Sequence, residues 1–277
     1  MNHFFELQGK QIAYQIAGNG RPVVLLHGFA EDSRIWNEQK SYLQAFYQII
    51  TIDMPGSGAS AQYPWSEGEG ENIEFYANVL QHLLEQLQVT NCVVLGHSMG
   101  GYIALAFAKK HPNKLMGLGL VHSTAYADST EKKANRQRGI EMMQQYGAEA
   151  FVKNTTPNLF GDAYKQQNAD KITGLIHDVR YFEVSSLQRY YKAMMHRNDS
   201  TEVLKQLQVP IFMLIGTNDV AVPLQDSLQQ CYLNNVTHVT ILNNIGHMGM
   251  WEATAQVNTV MHQFLDSCFE QSITEQR

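Results

Sequence analysis

Cysteine is scarce in this 277-residue chain: three residues, Cys92, Cys231 and Cys268, set far apart. An odd number at wide spacing offers neither a disulfide framework nor a zinc site, and a reducing compartment is expected. Charge is sparse too, at 17% of residues with a formal net charge of −6. Without a dense run of Lys or Arg, a nucleic-acid partner is not expected. No apolar stretch reaches the roughly 18 residues of a membrane span. The opening M-N-H-F-F-E-L-Q-G-K carries Glu6 among its apolar positions and has no signal-peptide core. These absences together predict a cytoplasmic protein with no membrane partner. Among eleven His residues there is no His-Glu-x-x-His spacing and no His/Cys pair at ligand intervals, so neither a metal nor a cofactor is expected. There is no internal repeat and no low-complexity tract.

What is present is a hydrophobic fraction of 44%, enough for a substantial core. F-F-E-L, Q-I-A-Y-Q-I-A and V-V-L-L read as three short strands divided by the turn residues Gln8-Gly9-Lys10 and Gly18-Asn19-Gly20. A helix is predicted from Ile35 to Phe46, then a strand ending at Asp53. Ile73, Tyr76, Ala77, Leu80, Leu84 and Leu87 fall on one helical stripe. Cys92 to Leu95 is a short buried strand, Tyr102 to Lys110 a helix stopped at His111-Pro112, and Leu115 to Val121 another strand. Ile211 to Ile215 and Val236 to Leu242 complete the series, each followed by helical sequence. Apolar strands alternating with helices predict an α/β protein with a largely parallel sheet covered on both faces.

The alternation stops between about Thr124 and Leu204. That block is polar and helical in pattern, with one helix closing at Gly147 and an apolar stripe of Leu187, Tyr190, Tyr191 and Met194. It predicts a helical cap over residues 124–204, inserted into a core made of 1–123 and 205–277.

Within the core, G-H-S-M-G places Ser98 between Gly96 and Gly100, after the strand V-V-L and before a helix. Gly-x-Ser-x-Gly alone is a weak signal, but in strand–turn–helix context it predicts a nucleophile elbow. The glycines remove side chains where strand and helix approach, and the hydroxyl is lifted beside a helix N-terminus that favours negative charge. A serine nucleophile needs a base and a group to orient that base. Functional groups of open α/β sheets gather beyond the carboxyl ends of the strands. There G-T-N-D-V-A-V-P offers Asp219 and N-I-G-H-M-G-M-W-E offers His247. The order Ser98, Asp219, His247 suits a triad in which His247 carries the proton and Asp219 fixes its tautomer. The backbone N–H groups of Phe29, after His27-Gly28, and Met99 are the expected oxyanion hole. His27 is expected to brace its loop, and His97 and His122 to pack rather than catalyse.

In these five stretches (L-L-H-G-F, D-M-P-G-S-G-A-S, G-H-S-M-G-G, G-T-N-D-V-A-V-P and G-H-M-G-M-W-E, in that order) the chain resembles the α/β-hydrolase superfamily across nearly its whole length outside the cap. The resemblance implies a mostly parallel eight-stranded sheet, an inserted cap, and a structural role for Asp53, Gly56, Gly58 and Ser60. Pro55 stands where many epoxide-hydrolase and dehalogenase relatives carry Arg, and the elbow holds Ser where those relatives use Asp. Epoxide opening and dehalogenation are therefore disfavoured. The cap stretch A-Y-A-D-S-T-E-K-K is loosely similar to the enol-lactonase and carrier-protein methyl-esterase branches.

The expected activity is hydrolysis of carboxylic esters, thioesters or lactones of small to medium acyl groups through an acyl-enzyme. Phe29, Val220, Met248 and Trp251, with Tyr126, Phe182, Tyr190 and Met194 from the cap, are the expected pocket wall. An acyl-carrier protein is a minor expected partner, through Lys132, Lys133, Arg136 and Arg138, which otherwise form a solvated helix face. A carbon–carbon bond hydrolase, a cofactor-free perhydrolase, and a ligand receptor on the same fold remain alternatives.

Overall fold

Gln8 and Gly9 both have positive φ (54° and 79°), the backbone of a two-residue hairpin turn. They join β1 (His3–Leu7) to β2 (Lys10–Ala17) in the computed structural model, which describes residues 1–274, with side chains through residue 270. The sheet continues through β3 (Pro22–Leu26), β4 (Gln48–Ile52), β5 (Cys92–His97), β6 (Leu115–Val121), β7 (Ile211–Gly216) and β8 (Thr237–Leu242). The spatial order is β1-β2-β4-β3-β5-β6-β7-β8. Only the β1–β2 and β2–β4 pairs are antiparallel; the other neighbours run parallel.

Strand alternation divides the core into two layers. Val23, Leu25, Ile49, Val93 and Leu95 point to the face covered by α1 (Asn37–Leu43) and α11 (Thr254–Thr274). Val24, Leu26, Ile50, Ile52 and Val94 point to the face covered by α2 (Ile73–Gln86) and α3 (Met99–Lys110). Strands buried on both faces need the unbroken apolar runs seen here. Asn72 caps α2 by accepting the Phe75 N–H at 2.9 Å. The helix predicted over Ile35–Phe46 is divided: a 3₁₀ turn at Ser33–Trp36, with the Asp32 carboxylate accepting at its start, runs into α1. The helix read over Tyr102–Lys110 begins earlier, at Met99, directly after the turn, which is where the strand–turn–helix context of Ser98 also puts its start.

Between β6 and β7 no strand occurs among the described residues. The segment holds α4 (Thr130–Thr155), α5 (Asp162–Gln167), α6 (Ala169–Asp178), α7 (Val184–His196) and α8 (Thr201–Gln206). Gly147 ends the first helical stretch of α4, as the sequence suggested: its φ of 83° and ψ of 166° are not helical, and a second helical stretch follows it to Thr155. Leu187, Tyr190, Ala193 and Met194 are the buried face of α7. Gly139 brings α4 close to α7: a Cβ there would lie 2.6 Å from the Tyr191 ring. α8 crosses the expected 204/205 boundary and packs on α3 of the core. Two short helices, α9 (Leu224–Leu228) and α10 (Gly249–Glu252), follow β7 and β8.

All three cysteines are free, Cys92 and Cys268 buried; burial pushes both thiols up to about 12, which suppresses thiolate chemistry. No helix among the described residues is long and apolar enough to cross a membrane.

Candidate active site

Register brings the ends of β3, β5 and β6 level, with Leu26 opposite Gly96 and Gly96 opposite Leu120. The loops leaving these ends, together with those after β7 and β8, carry Phe29, Ser98, His122, Asp219 and His247 to one rim. Ser98 has φ 51° and ψ −115°, a left-handed conformation that costs an ordinary side chain of order 1–3 kcal/mol. Its N–H donates to Val121 O (3.0 Å), and its carbonyl accepts from Gly101 N (3.0 Å) and Ser123 Oγ (2.7 Å). The flanking glycines are required by close approach. A Cβ on Gly96 would strike the Gly100 backbone, and one on Gly100 would strike the carbonyls of Leu26 and His27.

His247 Nδ1 lies 2.8 and 3.0 Å from the Asp219 oxygens. Asp219 Oδ1 also accepts the Ala221 and Val222 N–H groups at 2.9 and 2.8 Å. Burial would raise the Asp219 carboxyl, but His247 and His122 beside it, with hydrogen bonds to both rings, hold it well below the usual carboxylate range. It therefore stays ionised and can keep a proton on His247 Nδ1, directing the Nε2 lone pair outward. Ser98 and His247 line the same cavity. Among the described residues no hydrogen bond joins the Ser98 hydroxyl to the His247 ring, a contact that commonly tightens only when substrate seats. The Phe29 and Met99 N–H groups donate to no backbone carbonyl among the described residues. Met99 opens α3, where a first-turn N–H has no acceptor within the helix.

A second shell of polar groups escaped the sequence reading. Glu31 Oε2 accepts Gly28 N–H (2.7 Å) and faces His97 Nδ1 (2.9 Å). His97 Nε2 in turn reaches His247 O (3.0 Å). Burial opposes both charges, but the pairing and the accompanying hydrogen bonds together outweigh it: Glu31 is lowered from the ordinary carboxyl value and His97 raised above the ordinary imidazole value. One buried pair thus links the Phe29 loop to the His247 loop. Glu252 accepts Gly246 N–H (3.0 Å), Met248 N–H (3.2 Å) and Gly161 N–H (2.7 Å), clamping the same loop to the cap. The cap grips it again where His247 N–H donates to Leu159 O at 2.6 Å. Glu31 and Glu252 were legible only as acidic residues near motifs; their acceptor roles depend on loop geometry.

His122 Nδ1 is 3.3 Å from Asp219, while its buried Nε2 has no partner. Burial lowers this imidazole to about 4. His122, Asp219 and His247 present ligand atoms within 4.8 Å of one another, a set that could hold a metal, though hydrogen bonding already engages all three. His27 braces its loop: Nε2 accepts Met54 N–H at 3.1 Å and meets Ser57 Oγ at 2.9 Å. Asp53 accepts Ser33 and Ala59 N–H groups, both at 2.8 Å, and Ser60 Oγ accepts Ala13 N–H at 2.8 Å. Both are structural contacts.

The cavity over Ser98 has a volume of about 140 Å³, and Phe29, Arg136, Val152, Tyr191, Met194 and Val222 are among its wall. Of the expected pocket residues, Phe29 and Met194 are there; six are not. Tyr190 turns the other way, donating to Pro55 O at 2.9 Å, and its neighbour Tyr191 takes the wall, since successive helical residues point about 100° apart. Val220 is 66% exposed, and Ala221 and Val222 line the cavity instead. Phe182 and Trp251 border a separate, smaller cavity, where Trp251 Nε1 donates to Ile35 O at 3.2 Å. Met248 is fully buried under the sheet, and Tyr126 bonds Gln229 at 3.2 Å on the surface. The four basic cap residues do not share one face. Lys133 and Arg138 are exposed, Lys132 reaches Ala221 O at 3.3 Å, and Arg136 turns inward to the cavity.

Residues 21–254 match the family described as alpha/beta hydrolase fold. An esterase from Thermogutta terrifontis, solved with malate bound, superposes with a TM-score of 0.88 at 26% identity, over 97% of this chain and 99% of that one. A non-heme haloperoxidase of Rhodococcus erythropolis is 26% identical over 85% of this chain and 86% of its own length. The dihydrolipoyllysine-residue acetyltransferase component of an acetoin cleaving system of Pseudomonas putida is 27% identical over 95% of this chain, which spans 66% of that relative.

Proposed function

From the premise that the chain belongs to the α/β-hydrolase fold family and is a hydrolase, we propose that it cleaves carboxylic esters through an acyl-enzyme on Ser98. The observation that carries the reading is the strained Ser98 elbow opening into one cavity with a His247 ring whose Nδ1 is held 2.8 Å from buried Asp219. Ser98 Oγ attacks the ester carbonyl as His247 Nε2 takes its proton. The carbonyl oxygen becomes an oxyanion facing the Phe29 and Met99 N–H groups, each donor of this kind being worth about 2.7–4 kcal/mol of barrier. Collapse expels the alcohol, which leaves with the proton from His247. Water, deprotonated by His247, then attacks the acyl-enzyme, and a second collapse releases the acid and restores the Ser98 hydroxyl. The esterase relative supports this reading, and the small cavity favours short acyl groups.

The haloperoxidase relative gives a second reading on the same intermediate. If hydrogen peroxide replaces water in the deacylating step, the product is a peracid.

Ser98→Ala is expected to lower kcat/KM on p-nitrophenyl acetate by about 10⁴-fold or more and to abolish labelling by a fluorophosphonate probe, with circular dichroism unchanged. Turnover that survives in this variant overturns the assignment.

A further inference from the structure

Arg136 is the only Lys or Arg in the wall of the Ser98 cavity among the described residues. Sequence pattern put it on a solvated helix face. In the structure its guanidinium lies over the Tyr191 ring, 5.1 Å from the centroid, and that ring stacks on Phe29 at 4.3 Å. Gly139, one turn on along α4, admits the Tyr191 ring so closely that a Cβ would displace it. The cation is therefore held in place by packed aromatics beside the candidate oxyanion loop.

Its charge is not cancelled locally. Asp128 is the carboxylate that meets Arg136, through Nε at 2.6 Å, but the same carboxylate also takes Arg197 Nη1 at 2.9 Å. Two guanidiniums share one buried acid, so this cluster carries one positive charge in excess of Asp128. Arg197 also donates from Nη1 to Met194 O at 2.7 Å and from Nη2 to Tyr126 O at 2.9 Å, and it stacks on Tyr102 at 3.8 Å. Arg136 keeps its terminal nitrogens, the fork that grips a carboxylate side by side, free of any carboxylate partner among the described residues. Of the other charged groups nearby, Glu31 is paired with His97, and Asp219 is engaged by the His247 ring and by the Ala221 and Val222 N–H groups.

We propose that Arg136 is a specificity residue that receives a carboxylate at the far end of the acyl chain, so that the preferred substrates are monoesters of short dicarboxylic acids. The inference rests on the ester-hydrolase reading above and narrows its substrate class. Binding an anion at a point remote from the scissile bond fixes the ester carbonyl over Ser98, and such remote contacts raise kcat/KM by positioning.

The test compares kcat/KM for monomethyl succinate, glutarate and adipate with that for methyl butanoate, pentanoate and hexanoate. Wild type is expected to prefer the carboxylated member of at least one pair by tenfold or more, and Arg136→Gln to lower that ratio at least tenfold. Arg136→Lys, which keeps the charge without the fork, is expected to fall between. In parallel, glutarate is titrated calorimetrically into Ser98→Ala and into Ser98→Ala/Arg136→Gln, where at least tenfold weaker binding is expected in the double variant. Neutral and carboxylated esters hydrolysed alike by wild type, or a ratio unmoved in Arg136→Gln, overturn the proposal and leave the esterase reading standing. Arg136-dependent glutarate binding in a protein that turns over no ester has the opposite meaning: the anion site stands and the esterase reading falls. Neither binding nor turnover removes both.

Discussion

Gly96 in the sheet half and Gly147 in the cap are glycines for different reasons. Gly96 has no unusual φ, but a Cβ there would collide with the backbone of Gly100. Gly147 has open space around it and a φ of 83°. In the sheet half, then, neighbouring backbone dictates the residue, whereas in the cap the sharp turn between two helical stretches does. The same contrast runs through the cavity. Its floor is built from loops pinned to strand ends by backbone hydrogen bonds and the Glu31–His97 pair. Its roof is built from side chains of two crossing helices, α4 and α7, with Arg136, Tyr191 and Met194 supplied from there. A floor of that kind can hold reaction geometry, while a roof of this kind can vary in what it accepts.

Breaking the comparison with matched substitutions gives the largest effect. Gly96→Ala is expected to cost more than about 3 kcal/mol, since rigid backbone must move, and to abolish activity with the fold weakened. Gly147→Ala should cost about 1–3 kcal/mol for backbone strain alone and leave the sheet intact. Urea unfolding of both variants measures the difference; equal costs would remove the distinction between the halves.

Acid should find the sheet half first. His122 is neutral when buried, its proton affinity lowered to about 4, against about 6.5 in an unfolded chain. Because the unfolded state binds the proton more readily, the stability this residue secures is complete above pH 6.5 and is lost as pH falls towards 4. The loss amounts to about 3 kcal/mol across that window. Urea midpoints between pH 7 and 4.5 should fall in wild type and flatten in His122→Asn. A slope the two proteins share would refute the attribution to His122.

Sharper still is Glu31→Gln, which keeps an acceptor for Gly28 but removes the charge facing His97. The expectation is a kcat lowered about 10- to 100-fold, the range that slight misplacement of reacting groups costs, with KM moved little and circular dichroism unchanged. A change confined to KM would place Glu31 in substrate binding instead.

Much of the sheet and its floor was readable in the linear pattern. Cys92 to Leu95 and Leu115 to Val121 read as buried strands because parallel strands require continuous apolar runs. Ser98, Asp219 and His247 could be proposed together because each follows such a strand in chain order. The pocket wall was read poorly, and Tyr190 and Tyr191 show why. Both belong to one apolar stripe of α7, yet one faces Met54 and Pro55 and the other the cavity. Periodicity gives a helix its apolar side but not the direction of that side relative to a neighbouring helix. Arg136 was misread for the same reason: a basic residue on a polar helix reads as solvated until Asp128, Tyr191 and Phe29 are brought around it.

What the residues alone determined was local and periodic: the strand and helix segments, the need for small residues on both sides of Ser98, the order in which polar groups leave the sheet. These follow from steric limits and burial patterns that operate within a few residues. Tertiary structure decided what lies against what: that two arginines share Asp128, that Glu31 and His97, 66 residues apart in sequence, pair to link the Phe29 and His247 loops, and that a cation looks down on the serine. Such facts depend on the crossing of helices far apart along the chain, and nothing in the spacing of one segment encodes the angle at which it meets another.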